Sequence, residues 1–191
     1  MTDSQRRPRR ILRPALAAAT ALALLGAGLG LYLFQPWKAF TDTTVNEALP
    51  APAALASSVP GPTATNPAGA TAAAPAGPVD LARGSFQSGE HATTGTARLV
   101  RLADGTAVLR LENLATSEGP DVRVYLSALP AARSRLHALG DKPLGLDKLK
   151  GNHGNQNYAI PAGTDLTAFN STVIWCERFS VSFGAADLTA V

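Results

Sequence analysis

The stretch that decides the fold lies near the carboxyl terminus, where residues 171–184 read STVIWCERFSVSFG. β-branched and aromatic residues dominate it, as is typical of β-strands, and we predict strands over 172–176 and 179–183. The stretch also contains Cys176, the single cysteine of the 191-residue chain. Secreted domains usually use cysteines in pairs, so the role of this lone thiol is the central question.

Short strands with turn signals between them continue back along the chain to Asp80. In residues 122–126 the apolar side chains alternate with Arg123 and Tyr125, which predicts a strand with one buried face. Ala103-Asp104-Gly105 is a tight hairpin signal. Further strands are predicted over 82–87, 96–102, 107–111, 146–150 and 158–160, with brief helices over 130–139 and 165–169. The pattern predicts an all-β domain over 80–191, an antiparallel β-sandwich or barrel.

An apolar run of 20 residues, 15–34, precedes this domain and contains no charged side chain. As a helix it spans roughly 30 Å, the thickness of a bilayer core. Arginines are concentrated before it, which predicts residues 1–14 as a cytoplasmic tail. A cleaved signal peptide is the alternative, but its apolar region is usually about 7–15 residues long. We therefore favour an uncleaved signal anchor, and expect a single-pass cell-membrane protein with an extracytoplasmic carboxyl-terminal domain.

Residues 35–79 are predicted to link the helix to the domain, and from Thr41 onward they are mostly Ala, Pro, Thr, Gly and Ser. This composition lacks a periodic apolar face, so we expect residues 41–79 to be disordered and to add nothing to the stability of the domain. The net charge of +3 comes from the arginine-rich tail, since residues 80–191 carry eleven basic and eleven acidic side chains. The domain therefore lacks the basic excess that nucleic-acid binding requires.

Two weaker patterns concern partners and metals. Gly26 and Gly30 form a small-xxx-small pair that would let two membrane helices pack closely, which predicts a dimer contact. The three histidines have no zinc-ligand spacing. They are His91, His137 and His153. A mixed site, in which folding brings Cys176 to a histidine or carboxylate, stays open and would suit copper or iron. The Ala- and Arg-rich composition is typical of a bacterial protein.

The second distinctive segment, residues 149–161, reads LKGNHGNQNYAIP. Its glycines, amides and histidine suit a loop, which either lines a polar site or forms an ordered turn. Two interpretations of Cys176 are open as well. It is either a small buried hydrophobe, or a functional thiol whose ionisation Arg178 favours and Glu177 opposes.

Several short motifs of the domain occur together in a known family. They are Gly119-Pro120-Asp121, Val124-Tyr125-Leu126-Ser127, Leu149-Lys150-Gly151, Gly154-Asn155-Gln156-Asn157-Tyr158, Ile160-Pro161, Val173-Ile174-Trp175-Cys176, Phe179-Ser180-Val181 and Phe183-Gly184. In this order, over about residues 81–188, they resemble the DM-thirteen family, an electron-transfer-type domain found in the Skeletor protein and beside DOMON and cytochrome b domains. The resemblance implies a compact β domain and a redox role in which the single cysteine of the family corresponds to Cys176.

We therefore predict a site formed by Cys176, as a redox residue, and the 150–158 loop. A thiolate near neutral pH needs a cationic partner or a metal, and Asp121 and His153 are the best candidates to share the site. The predicted binding residues are Asp121, Lys150, Asn155, Gln156, Tyr158 and Trp175, and the predicted ligands for copper or iron are Cys176 and His153. The predicted function is electron transfer with an unidentified redox or protein partner. The alternative is a non-catalytic ligand- or protein-binding module displayed at the cell surface.

Overall fold

The computed structural model describes residues 9–37, 41–50, 77–134 and 138–191. Three predicted segments therefore lie partly outside the described residues: the cytoplasmic tail (1–8), the linker (38–40 and 51–76) and the helix over 130–139 (135–137). The chain divides into two compact units, one ending at Thr41 and the other beginning at Asp42.

The first unit contains helix α1, Arg9–Phe34. Its segment Pro14–Phe34 has 21 residues and a mean hydropathy of 1.9. A helix of this length and composition can cross a membrane, although signal sequences near an amino terminus share both properties. The structure thus confirms the predicted apolar helix, while its retention as an anchor stays a prediction.

The second unit consists mainly of strands. They are β1 (Thr44–Asn46), β2 (Val79–Ser88), β3 (Thr94–Arg101), β4 (Ala107–Ala115), β5 (Val122–Ser127), β6 (Leu144–Lys148), β7 (His153–Ile160), β8 (Ser171–Cys176), β9 (Val181–Asp187) and β10 (Thr189–Ala190). A single helical turn, α2 (Ala131–Ser134), follows β5, and a 3-10 turn at Leu166–Ala168 precedes β8.

The strands pair in the order β1-β7-β4-β3-β2-β9-β8-β5-β6, with β10 beside β2. Every pair is antiparallel except β1 with β7, which is parallel. The result is a curled mixed sheet that forms a half-barrel. This confirms the all-β prediction, and the parallel pair is its one departure from an antiparallel sheet.

The inner face of the curled sheet carries the main hydrophobic core. Val122, Val124 and Leu126 of β5 all lie in it, which confirms the alternation predicted for residues 122–126. Ile174 and Cys176 enter the same core from β8. Burial of each large aliphatic side chain contributes about 1.5–3 kcal/mol, so this core is the principal source of stability of the domain.

Residues 41–50, whose composition predicts a disordered linker, pack on the domain. Thr44–Asn46 forms β1 and pairs with β7, and Leu49 packs against an outer cluster of Val100, Leu102 and Val108. The expectation of disorder is therefore wrong for these residues. Composition could not show it, because a strand of three residues is too short to display alternation and its partner lies more than 100 residues away.

Two further boundaries differ from the predictions. The polar segment expected to be a loop forms β7 from His153 onward, because β4 pairs with it along one side and β1 pairs with residues 153–155 along the other. In addition, β9 begins at Val181 and not at Phe179. Residues 177–180 make a turn in which Ser180 has a φ of 53°. This left-handed conformation is incompatible with an extended strand, so β9 starts at the next residue.

Candidate functional site

Cys176 is the last residue of β8 and lies inside the half-barrel. Its ladder partners are Val122 of β5 and Val181 of β9. The side chain is 0% exposed, the thiol is free, and its cluster is the main apolar core. A thiol in such surroundings is enclosed on all sides, so a reagent or partner reaches it only if a strand moves.

Trp175 lies on the opposite face of β8. It packs with Val173, Ala185 and Ala131 of α2, and only 7% of it is exposed. Its ladder partner on β9 is Ser182, a fully buried residue whose Oγ has no hydrogen-bond partner among the described residues. Neighbouring side chains of β8 thus lie on opposite faces of the sheet, the indole of Trp175 on the outer face and the thiol of Cys176 on the inner face.

Tyr125 and Glu177 form a polar pair on this outer face. The Tyr125 hydroxyl donates a hydrogen bond to the Glu177 carboxylate. Burial raises the pKa of Tyr125 to about 12, and the hydrogen bond to Glu177 and the charge of that carboxylate act in the same direction. The phenol therefore stays protonated at neutral pH. The ring lies over Gly145 of β6, where an added Cβ would come within 3.0 Å of the Tyr125 Cε1 atom.

This pair is absent from the predicted site residues. The outward position of Tyr125 followed from the alternation of residues 122–126, and Glu177 directly follows the cysteine. What the sequence lacked was the pairing of β5 with β8, which brings together two side chains 52 residues apart.

Asp121, which was predicted to share the site with the thiol, interacts with two basic side chains. Its carboxylate lies 3.1 Å from Nε of Arg123 and 3.9 Å from Nζ of Lys148. Its carbonyl oxygen accepts a hydrogen bond of 2.9 Å from the Glu177 backbone N–H. Asp121 therefore holds the turn that follows Cys176, and its charge is balanced by two surface cations.

Gln156 and Tyr158 of β7 form a buried hydrogen-bonded chain. The Tyr158 hydroxyl donates to Oε1 of Gln156 at 2.7 Å and accepts from the Lys150 backbone N–H at 3.0 Å. Nε2 of Gln156 donates to the Gly151 carbonyl at 2.6 Å. Burial raises the pKa of Tyr158. These side chains fasten the 149–152 turn to β7, and both hydrogen-bonding ends of the Gln156 amide are satisfied.

The remaining predicted residues of the polar segment contact residues 42–47. Lys150 Nζ lies 2.7 Å and 3.0 Å from the two Glu47 carboxylate oxygens. His153 Nε2 is 3.4 Å from Oδ1 of Asp42, and Asn155 Nδ2 donates to Oδ1 of Asn46 at 3.2 Å. The polar side chains that suggested a ligand site thus bind another part of this chain.

The predicted site residues therefore lie in several regions, with Trp175 on the outer face of β8 and Asp121 beside Arg123 and Lys148. Cys176 and Tyr158 share the inner core, while Lys150, His153 and Asn155 face residues 42–47. Among the described residues no group of three or more His, Cys, Asp or Glu side chains could hold a metal ion. They offer no complete donor set for copper or iron, and the pairing of Cys176 with His153 stays a prediction.

A family model described as electron transfer DM13 matches residues 85–188, which is more than half of the chain. The match runs from β2 to β9 and excludes α1 and β1. No curated protein and no solved structure matches the chain.

Proposed function

The chain belongs to the electron transfer DM13 family, and on that premise we propose that it is a membrane-anchored, extracytoplasmic electron-transfer domain with Cys176 as its redox residue. The family match agrees with the resemblance that the sequence motifs indicated. The proposal extends it to a location and to one side chain.

One observation carries the choice of Cys176: the only thiol of the chain is enclosed in the core directly behind Trp175. Thiol–disulfide exchange requires that the thiolate reach a sulfur atom of the partner, which this enclosure prevents in the folded state. A redox role for Cys176 therefore requires a local opening of β8 that exposes the thiol. The thiol then loses its proton to solvent, and the thiolate attacks a partner disulfide, which forms a mixed disulfide and releases the other partner sulfur as a thiolate.

Anchoring is supported by α1, which is long and apolar enough to cross a membrane, and by the arginines that precede it. Protease added to intact cells should then remove the domain and leave a membrane-bound stub. Recovery of a soluble mature chain beginning near Gln35 would contradict the anchor without affecting the assignment of Cys176.

The redox assignment is tested on the full chain purified in detergent. Thiol titration of the folded chain should be slow, because the thiol is enclosed, and incubation with glutathione disulfide should give a mixed-disulfide mass signal at Cys176 that dithiothreitol removes. We expect Cys176→Ala to lose that signal and Ser182→Ala, a matched change at a buried neighbour on β9, to keep it. An absorption spectrum and metal analysis of the same sample test for copper or iron. A wild-type chain that forms no such adduct would remove Cys176 from the proposal.

A further inference from the structure

Residues 42–50, here called the docked segment, are bound along the outer edge of β7. β1 pairs in parallel with β7, with Thr44 opposite His153 and Asn46 opposite Asn155. The ladder is extended at both ends, because His153 N donates to the Thr43 carbonyl at 3.1 Å and Glu47 N donates to the Asn155 carbonyl at 2.8 Å. An extended segment added to an exposed sheet edge is a recurring mode of peptide recognition.

The edge also recognises side chains of the docked segment. The Glu47 carboxylate accepts hydrogen bonds from Lys150 Nζ at 2.7 Å and from the Asn157 backbone N–H at 2.7 Å. Arg110 Nη1 donates to the Glu47 carbonyl at 3.1 Å. Such charge-assisted hydrogen bonds are stronger than neutral ones, so this position selects a carboxylate.

The two ends of the docked segment are held differently. At the start, the Asn152 side chain accepts from Thr43 N at 2.7 Å and donates to Asp42 Oδ1 at 2.8 Å. Asn152 is itself only 1% exposed. At the other end Leu49 packs on the outer apolar cluster. The edge therefore fits an extended peptide that has, at one end, a carboxylate for the Asn152 side-chain amide and, at the other end, an apolar residue.

Two glycines of the polar segment make room for the peptide backbone. A Cβ at Gly151 would lie 2.4 Å from the Thr43 carbonyl oxygen, and one at Gly154 would lie 2.1 Å from the Val45 carbonyl oxygen. Gly154 also has a φ of +99°, which L-residues rarely adopt. The glycines and amides that look like a ligand loop in sequence are thus those that a strand-accepting edge requires.

We propose that this edge is a strand-accepting site that takes residues 42–50 from a second copy of the chain as well as from its own. β1 pairs with β7 alone and stands at the end of the strand order, so it can leave without breaking any other strand pair. Thirty-two residues separate β1 from β2, and a chain of that length spans at most about 110 Å, which is long enough to reach a neighbouring copy. The inference is independent of the electron-transfer role.

Exchange between copies preserves every contact of the docked segment, since the donor and acceptor sequences are the same. The balance between the two arrangements then depends on the connection and on the concentration of neighbouring copies. A flexible connection gives an effective concentration of about millimolar, falling with length. Copies held in one membrane, as proposed above, raise the competing concentration, so we expect the exchanged form in membranes at high expression.

The test uses engineered cysteines, because the one native thiol is buried. Asn46 and Asn155 are ladder partners whose side chains touch. One tagged full-length chain carries Asn46→Cys, a second carries Asn155→Cys, and both are expressed in the same cells. A disulfide between the two tags, seen as a dimer on a non-reducing gel of the membranes, is expected and can form only across copies.

Two controls make the outcome decisive. The double variant N46C/N155C should form the disulfide within one chain, which shows that the geometry allows it. Pairing Asn46→Cys with Ala162→Cys, an exposed residue outside the edge, measures chance collision. A within-chain disulfide together with no more dimer than the Ala162→Cys control would overturn the exchange. Failure of the double variant to cross-link would overturn the docking itself.

A charge reversal provides a second measurement. In a Glu47→Lys chain and in a Lys150→Glu chain, each segment meets a like charge on its own edge. When the two are expressed together, the Glu47→Lys segment meets the Lys150→Glu edge of the other copy, which restores the ion pair only across copies. Co-purification of the two tags above the level of two wild-type chains is expected. Equal co-purification counts against the proposal.

Discussion

The inner end of β8 and the outer edge of β7 are both distinctive in sequence, but they use their residues in opposite ways. At the end of β8 the single cysteine is surrounded by apolar side chains. At the edge of β7 polar side chains bind residues 42–47 through backbone and carboxylate groups. Polarity and glycine content therefore marked a surface that binds the chain itself, while the single thiol lies in an apolar environment that no polar motif indicated.

Replacing the docked segment should have the largest effect on stability, because it removes the contacts between residues 42–50 and the edge of β7. In the full chain, exchange of residues 42–50 for a Gly/Ser segment of equal length exposes the outer apolar cluster and breaks the Glu47–Lys150 pair. Leu49 is only partly buried, so its packing contributes about 1 kcal/mol, and hydrogen bonds at about 1 kcal/mol each bring the expected loss to about 3 kcal/mol. Thermal and urea unfolding measure it.

The matched control is the same replacement over residues 60–68. It changes an equal length of the connection between β1 and β2 and should leave the melting temperature unchanged. If both replacements melt like the wild type, the docked segment contributes nothing and the contrast between the two regions disappears.

The next prediction concerns the first region. Cys176→Ser places a hydroxyl in the apolar core, and an unpaired buried hydroxyl costs about 1–3 kcal/mol. Cys176→Ala leaves only a small cavity and should cost about 1 kcal/mol. Urea unfolding should therefore give a lower free energy of unfolding for Cys176→Ser than for Cys176→Ala. The reverse order would mean that the thiol has a polar neighbour and that its site is a polar one.

Two tyrosines, the enclosed Tyr158 and the partly exposed Tyr125, allow the effect of enclosure to be compared by one chemical change. Tyr158→Phe leaves the Gln156 amide oxygen and the Lys150 backbone N–H unpaired within the fold, which costs about 1–2 kcal/mol. Tyr125→Phe removes a hydrogen bond on the partly exposed outer face and should cost under about 1 kcal/mol. The free energies of unfolding decide the order. Equal costs would show that enclosure does not distinguish the two hydroxyl groups.

The strands were predictable where one face is buried. The alternation in β5 and the hairpin at Ala103-Asp104-Gly105 came from local pattern alone and hold in the structure. Local pattern fails at β7, because residues 153–157 show no alternation of apolar and polar side chains. The strand that pairs with residues 153–155, β1, is short and mostly polar as well. Their extended form depends on partners far away in sequence.

Only part of the candidate site was predictable for the same reason. Cys176 stands out by count, but its enclosure depends on β5 and β9, its neighbours in the sheet. The Tyr125–Glu177 pair requires the β5–β8 register, which no single-sequence pattern contains. Glu47 was unrecognisable as a partner of Lys150, since 103 residues separate them.

The smallest effect is the pH dependence that Glu47 gives to the docked segment. Burial tends to raise its pKa, but the hydrogen bonds and charge of Lys150 and Asn157 outweigh this and lower the pKa below the usual 4.5. A carboxyl group whose pKa is lower when folded stabilises the protein above its unfolded pKa, and this contribution is lost as pH falls through the folded pKa. Because the pair is about one-third exposed, its contribution should stay under about 1 kcal/mol. Melting temperatures of the wild type and Glu47→Gln should therefore differ most above pH 4.5 and converge in more acidic solution. A difference that persists unchanged at the acid end would mean that the Glu47 charge does not hold the segment to β7.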